Sequence, residues 1–208
     1  MNIEIANAVG GYLETLYDVN VKLIKLCGMD IMSSYEKDER LVLDIIQDIF
    51  RIFPYKYDKK TEVCLLDNSA GLLEFKDDFD FLQNDFQNIL DDNYDLINVI
   101  RQIRNKYEHK MHAVKIVGEG TGTLSLFDFE FVISQIHISL SAESLIKLLT
   151  QLNLVYSKIQ REVACFAREN RKTDYAYYRR LIRFDFNDFS KIYQDDNLRL
   201  IGKLMHAF

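Results

Sequence analysis

One long stretch of regularly spaced apolar residues constrains the fold of this chain more than any other feature. From Ser141, a favourable N-cap residue, to about Arg171, apolar side chains recur every third or fourth position. The pattern spans roughly seven helical turns, which is typical of the central helix of a bundle. The 208 residues include only one Pro and eight Gly, too few for a sandwich or barrel with many tight turns. We therefore predict one mainly all-α domain covering residues 1–208.

Three further helical regions are predicted from the same spacing. The first runs from about Ile3 to Cys27, with Gly10-Gly11 as a weak point. The second begins with a capping box at Ser33 and ends at Pro54. The third runs from about Asp77 to Val114, with a kink or restart at residues 91–93. Between the second and third regions, residues 63–66 fit either a short strand or a buried loop. Two short helices are expected in the tail, residues 174–208.

A small β-hairpin is expected after the third helical region, over residues 113–132. Glycines at positions 118, 120 and 122 mark a turn, and the phenylalanines that follow alternate with acidic residues. Such alternation is typical of a half-buried strand. Residues 113–117 are therefore expected to pair with residues 124–132. A phosphate-binding loop is less favoured, because no helix starting with Lys-Ser or Lys-Thr follows the glycines.

The net charge of −6 excludes a uniformly basic nucleic-acid-binding coat. Charge is nevertheless segregated along the chain. Residues 101–115 hold five Lys or Arg against one acid, whereas residues 74–95 hold eight acids against one base. The basic segment fits either a solvated helix face or an anion-binding surface.

The three cysteines are widely spaced and include no CxxC pair, so we expect reduced thiols in or near the core. The N-terminus lacks the basic and apolar regions of a secretory leader, and no uncharged apolar run is long enough to span a membrane. The sequence therefore predicts a soluble, cytoplasmic protein without a membrane partner.

The densest group of chemically reactive side chains lies between residues 98 and 112. At about 100° per residue, these side chains fall on one polar stripe of a helix, opposite an apolar face. Arg104 lies at the seam between the two faces, where its stem can be buried and its guanidinium can turn toward the stripe. The stripe consists of Asn98, Arg101, Asn105, Glu108, His109 and His112.

These residue types suit the cleavage of a phosphodiester. Arg101 and Arg104 can neutralise a phosphate, and a His titrates near neutral pH, as a general acid or base requires. Asn105 lies one turn before His109 and can orient its ring or a phosphate oxygen. Metal catalysis is less favoured, because His109 and His112 are only two ligands; we expect no metal and no cofactor.

The segment Arg104-Asn105-Lys106-Tyr107-Glu108-His109 resembles the RX4–6H motif of the HEPN superfamily. In that family a polar residue commonly follows the Arg, as Asn105 does here, and the motif lies late in a long helix of an all-α bundle. The motif covers six residues, whereas the helical layout covers most of the chain.

The resemblance implies a metal-independent endoribonuclease that acts as a homodimer, with two motifs meeting in one cleft. Arg104 would bind the scissile phosphate, His109 would be the acid/base residue and Asn105 would orient. We expect Arg101, Lys106, Glu108 and His112 to contact the RNA substrate. Many members are toxins or antiphage effectors, which implies an antitoxin or a regulatory protein as partner. HEPN toxins paired with nucleotidyltransferase antitoxins carry a Tyr two residues after the His, whereas this chain has Met111.

Two other functions are consistent with the sequence. The chain is a HEPN bundle that binds a nucleotide or protein and cuts nothing, or it is a helical scaffold in which the motif is incidental. The intact Arg104, Asn105 and His109 favour the ribonuclease, and the acidic net charge favours the binding module.

Overall fold

The computed structural model describes residues 1–28, 35–109, 114–117, 128–133, 136–170 and 186–194. The described residues are mainly helical, as predicted, with two small antiparallel sheets. The helices are α1 (Ile3–Gly28), α2 (Tyr35–Ile52), α3 (Leu82–Asp92), α4 (Tyr94–His109), α5 (Ala142–Asn170) and α6 (Phe186–Gln194), with a 3-10 turn at Gly71–Phe75. The strands are β1 (Tyr55–Asp58), β2 (Val63–Leu66), β3 (Val114–Val117), β4 (Asp128–Ile133) and β5 (Ile136–Ser141).

The long helix α5 packs at the centre of the bundle, against α1, α3 and α6. The apolar residues that predicted this helix are buried, and the amide of Ser144 donates to Oγ of Ser141, which confirms the expected N-cap. Tyr156 lies fully buried on the same helix and donates a hydrogen bond to the backbone carbonyl of Ile52 at the end of α2. The burial of a continuous stripe therefore explains why α5 is long and uninterrupted.

Helices α1 and α2 pack against each other. The glycines at positions 10 and 11 do not interrupt α1, which continues to Gly28. Pro54 follows the end of α2, as predicted, because its ring cannot continue the helical hydrogen bonds. The capping box predicted at Ser33 lies outside the described residues.

The two sheets are formed by short neighbouring strands. Strands β1 and β2 make a hairpin in which Tyr55 pairs with Leu66 and Tyr57 pairs with Cys64. Residues 63–66, for which the sequence allowed either a short strand or a buried loop, therefore form a strand. The predicted pairing after α4 is also confirmed, with Val114 opposite Phe131 in strands β3 and β4. A third strand, β5, which was not predicted, pairs with β4 to complete the sheet.

Several predicted boundaries were wrong. The third helical region starts at Leu82 rather than near Asp77, because residues 71–75 form the 3-10 turn first. The restart at residues 91–93 is confirmed: Asn93 separates α3 from α4, and its side-chain amide donates to the carbonyl of Ile89. Val114 belongs to a strand rather than to the motif helix. Of the two short helices predicted in the tail, α6 is present in the described residues 186–194; the rest of that prediction lies outside the described residues.

The buried apolar residues of the described segments form one core cluster. Cys64 is buried, as expected, whereas Cys165 is exposed and lies on the outer side of α5. None of the helices in the described segments is long and apolar enough to cross a membrane.

Candidate functional site

Helix α4 positions the motif at the edge of the core. Ile97, Ile100 and Ile103 are buried at 2%, 1% and 0% exposure, so the predicted apolar face is the face that packs. Asn105, on the opposite side, is exposed, and Arg104 between them is partly buried. The helix contacts α2, strand β2 and strands β4 and β5. The amphipathic arrangement expected for the motif helix is therefore present over residues 97–105.

The guanidinium of Arg104 packs against two aromatic residues of neighbouring elements. Its central carbon lies 5.0 Å from the ring centre of Phe50 on α2, which is a cation–π distance. The guanidinium also makes a side-chain hydrogen bond with the phenol of Tyr55 on β1. The rings of Phe50 and Tyr55 lie 4.7 Å apart between centres, so one aromatic pair holds the motif arginine.

The environment of Tyr55 is consistent with this contact. Burial raises the pKa of the Tyr55 phenol above its usual value, and the hydrogen bond and positive charge of Arg104 oppose that rise. The phenol therefore remains neutral at ordinary pH and acts as a fixed acceptor for the guanidinium. The sequence predicted that Arg104 would turn toward the polar stripe, whereas the structure places it against α2 and β1.

Arg101, one turn before Arg104, is held in a similar way. Its Nε and Nη2 donate to Oδ1 of Asn98 at 3.1 and 2.7 Å. Its central carbon lies 3.8 Å from the ring centre of Tyr57, and the guanidinium also hydrogen-bonds the thiol of Cys64. Burial raises the pKa of that thiol, against the opposing effect of Arg101. Four contacts therefore fix the orientation of this guanidinium.

The β1–β2 hairpin supplies one tyrosine contact to each arginine, and sequence reasoning missed this hairpin. Tyr55 and Tyr57 are two residues apart, so they share one face of β1. Lys56, between them, lies on the other face and is exposed. The alternation of Tyr with charged residues at positions 55–58 was a signal for this strand, although only four residues carry it.

The remaining predicted site residues are only partly described. Lys106, Glu108 and His109 lie in the last turn of α4, where the structure gives the helix but not the surroundings of their side chains. His112 lies outside the described residues. The structure thus brings together Arg101, Arg104 and the hairpin tyrosines, and leaves the role of His109 as a prediction.

Comparison of the chain with protein-family models, curated proteins and solved structures finds no match. Within the described segments, no group of three His, Cys, Asp or Glu residues is placed to hold a metal ion. The resemblance of residues 104–109 to the HEPN motif therefore stays a prediction from the sequence.

Proposed function

We propose that this protein is a metal-independent endoribonuclease of the HEPN type. The observation that carries the proposal is the placement of Arg104, Asn105 and His109 on one helix, with the Arg104 guanidinium fixed by Phe50 and Tyr55. A fixed guanidinium binds a phosphate with less loss of conformational entropy than a mobile one. The motif arginine is therefore suited to bind a phosphodiester.

The proposed reaction is attack by the 2′-hydroxyl of RNA on the adjacent phosphorus. The 2′-oxygen forms a new bond to phosphorus while its proton passes to a base, and the bond to the 5′-oxygen breaks as that oxygen is protonated. The products are a 2′,3′-cyclic phosphate and a free 5′-hydroxyl. Arg104 stabilises the negative charge on the phosphate, His109 transfers protons, and Asn105 orients His109 or a phosphate oxygen.

The proposed enzyme is a homodimer in which two copies of the motif share one cleft. Asn105 is exposed, so this part of α4 is accessible to a second copy. In a two-fold interface the same patch of each copy meets the other, so the arginines of both copies would contribute positive charge to one anion-binding cleft. We propose that the enzyme acts in the cytoplasm as a toxin or antiphage effector, under the control of an antitoxin or another regulatory protein.

Incubation of the purified protein with single-stranded RNA in EDTA tests this function. We expect cleavage that leaves 2′,3′-cyclic phosphate ends. We also expect the mass of a dimer when the protein is measured by sedimentation at micromolar concentration. A dimer that leaves RNA intact would instead support the non-catalytic binding module. Two guanidiniums held in place beside aromatic rings favour that module as the second function, because arginine binds a phosphate group whether or not the phosphate is cleaved.

A further inference from the structure

Arg101 carries a positive charge that no described carboxylate neutralises. It is partly buried, and none of the ion pairs in the described segments includes it. Its contacts are instead an amide oxygen, a thiol and an aromatic ring, from Asn98, Cys64 and Tyr57. These contacts restrict the guanidinium without cancelling its charge, so an anion from outside this part of the chain is the natural partner.

The position of Arg101 relative to Arg104 indicates what that anion is. They are three positions apart, which corresponds to about 4.5 Å along the helix axis, so both face the β1–β2 hairpin. Tyr57 contacts the first arginine and Tyr55 contacts the second. Each arginine thus has its own aromatic support, and the two cations are held as separate binding groups.

We propose that Arg101 binds the phosphate next to the scissile phosphate, so that the substrate is an RNA strand with at least two consecutive phosphates rather than a mononucleotide. This inference rests on the proposed function, because Arg104 is taken to bind the scissile phosphate. Asn98 and Tyr57 are positioning residues: they orient the Arg101 guanidinium and do not themselves contact the strand.

Deoxythymidine oligonucleotides test this inference without cleavage, because they lack the 2′-hydroxyl. A trinucleotide carries two phosphates and a dinucleotide carries one, and both compete with a fluorescent oligodeoxythymidine for the wild-type dimer. We expect the trinucleotide to bind about tenfold more tightly than the dinucleotide, the effect of one charged hydrogen-bonded contact. We also expect its salt dependence, log K against log[salt], to be steeper by about 0.7.

Arg101→Gln should remove both differences, because the trinucleotide and the dinucleotide then have the same single arginine contact, at Arg104. The matched control is Lys56→Gln, which removes one positive charge from the exposed face of the neighbouring strand. That control should bind both probes as the wild type does. If Lys56→Gln lost the preference for the trinucleotide to the same extent as Arg101→Gln, the inference would be overturned, since the preference would then depend on overall charge.

Asn98→Ala provides a second variant that keeps every charge. It frees the guanidinium, so the trinucleotide should bind about 2- to 10-fold more weakly, while the salt dependence stays that of the wild type. This variant decides the matter if Arg101→Gln does not fold. The inference is wrong if Asn98→Ala, or a folded Arg101→Gln, still prefers the trinucleotide to the dinucleotide as strongly as the wild type does. It is also wrong if the wild type binds neither oligonucleotide. Cleavage of RNA by the wild type is measured in a separate assay. A negative result in the binding assay therefore does not by itself contradict the ribonuclease proposal.

Discussion

Asn20 and Asn153 exchange two hydrogen bonds inside the bundle, with Nδ2 of each amide donating to Oδ1 of the other at 2.8 and 2.9 Å. Both residues have 0% exposure, and they join α1 to α5. The hydroxyl of Tyr193, on α6, donates to the same Oδ1 of Asn20 at 2.6 Å. Three helices that are distant in sequence are thus connected through one buried amide.

We expect Asn153→Leu to lower the free energy of unfolding by about 2 kcal/mol, because one buried N–H of the Asn20 amide loses its acceptor. The other N–H still donates to the carbonyl of Leu16, and Oδ1 still accepts from Tyr193. The double variant Asn20→Leu/Asn153→Leu should lose less than the sum of the two single variants, since it removes both amides together. Urea denaturation measures all three. Leu154→Asn, at a 50% exposed neighbouring position, serves as the control and should change stability little. If the double variant lost as much free energy of unfolding as the two single variants together, the two asparagines would not act as a unit.

Gly11→Ala should stabilise the protein by about 0.5–1 kcal/mol, because glycine in a helix interior loses more backbone entropy on folding than alanine. A Cβ at this position would meet no atom within 4 Å, so the substitution brings no steric cost. Gly71→Ala is the contrasting variant. There φ is +59°, and the new Cβ would lie 3.2 Å from Cβ of Pro54, so we expect a loss of about 1 kcal/mol. Thermal unfolding that ranked the two variants in the reverse order would contradict this account.

The buried phenol of Tyr156 should make the protein sensitive to alkali. Burial raises its pKa well above the usual value, so above about pH 10 the unfolded chain loses this proton while the folded chain keeps it. The contribution of this phenol to the free energy of unfolding is therefore fully present below that pH. Above it, the free energy of unfolding falls by up to about 1.4 kcal/mol per pH unit. Tyr156→Phe should show a flatter decline between pH 9 and 11 in chemical denaturation. Its stability at pH 8 should be lower by about 1 kcal/mol, because the bond to Ile52 is lost. Parallel declines in the two proteins would contradict the assignment.

The elements that the sequence predicted well are those whose local pattern matches their burial. Helix α5 was predicted because its long apolar stripe is the same set of residues that packs in the core. The pairing of β3 with β4 was predicted because its phenylalanines alternate over several positions. Strand β5 carries a similar alternation, with Ile138 and Leu140 buried and His137 exposed, but it is six residues long and directly precedes α5. A short strand next to a strong helix signal is hard to separate from the approach to that helix.

The candidate site shows a different limit. The sequence predicted the helix that carries Arg101, Arg104 and Asn105, with Arg104 at the seam between its faces, because helical spacing is a local property. The contacts of Arg101 with Tyr57 and of Arg104 with Phe50 depend on how α4, α2 and the β1–β2 hairpin pack together. No local pattern contains that information, so the turn of the Arg104 side chain toward the hairpin was missed.

His109 and Arg104 should each contribute to RNA cleavage, through different chemistry. His109→Ala should slow RNA cleavage by about 10²- to 10⁴-fold, the usual contribution of a proton-transfer group. Arg104→Ala should slow it by about 10²- to 10³-fold, through the loss of charge stabilisation at the phosphate. His112→Ala should cost less, because it lacks the motif spacing from Arg104. His137→Ala is the matched control, since His137 is exposed on β5 and lacks the motif spacing from Arg104, and cleavage should stay at the wild-type rate.

The cleavage rates of the four variants are measured in EDTA. Circular dichroism checks that each variant is folded, and sedimentation checks that it forms a dimer. Arg104→Ala also removes the contacts with Phe50 and Tyr55, so Arg104→Lys is needed beside it. The lysine keeps the charge but not the two-pronged geometry of the guanidinium, and we expect cleavage between that of Arg104→Ala and the wild type. If a folded, dimeric His109→Ala protein cut RNA as fast as the wild type, the ribonuclease proposal would give way to the binding module.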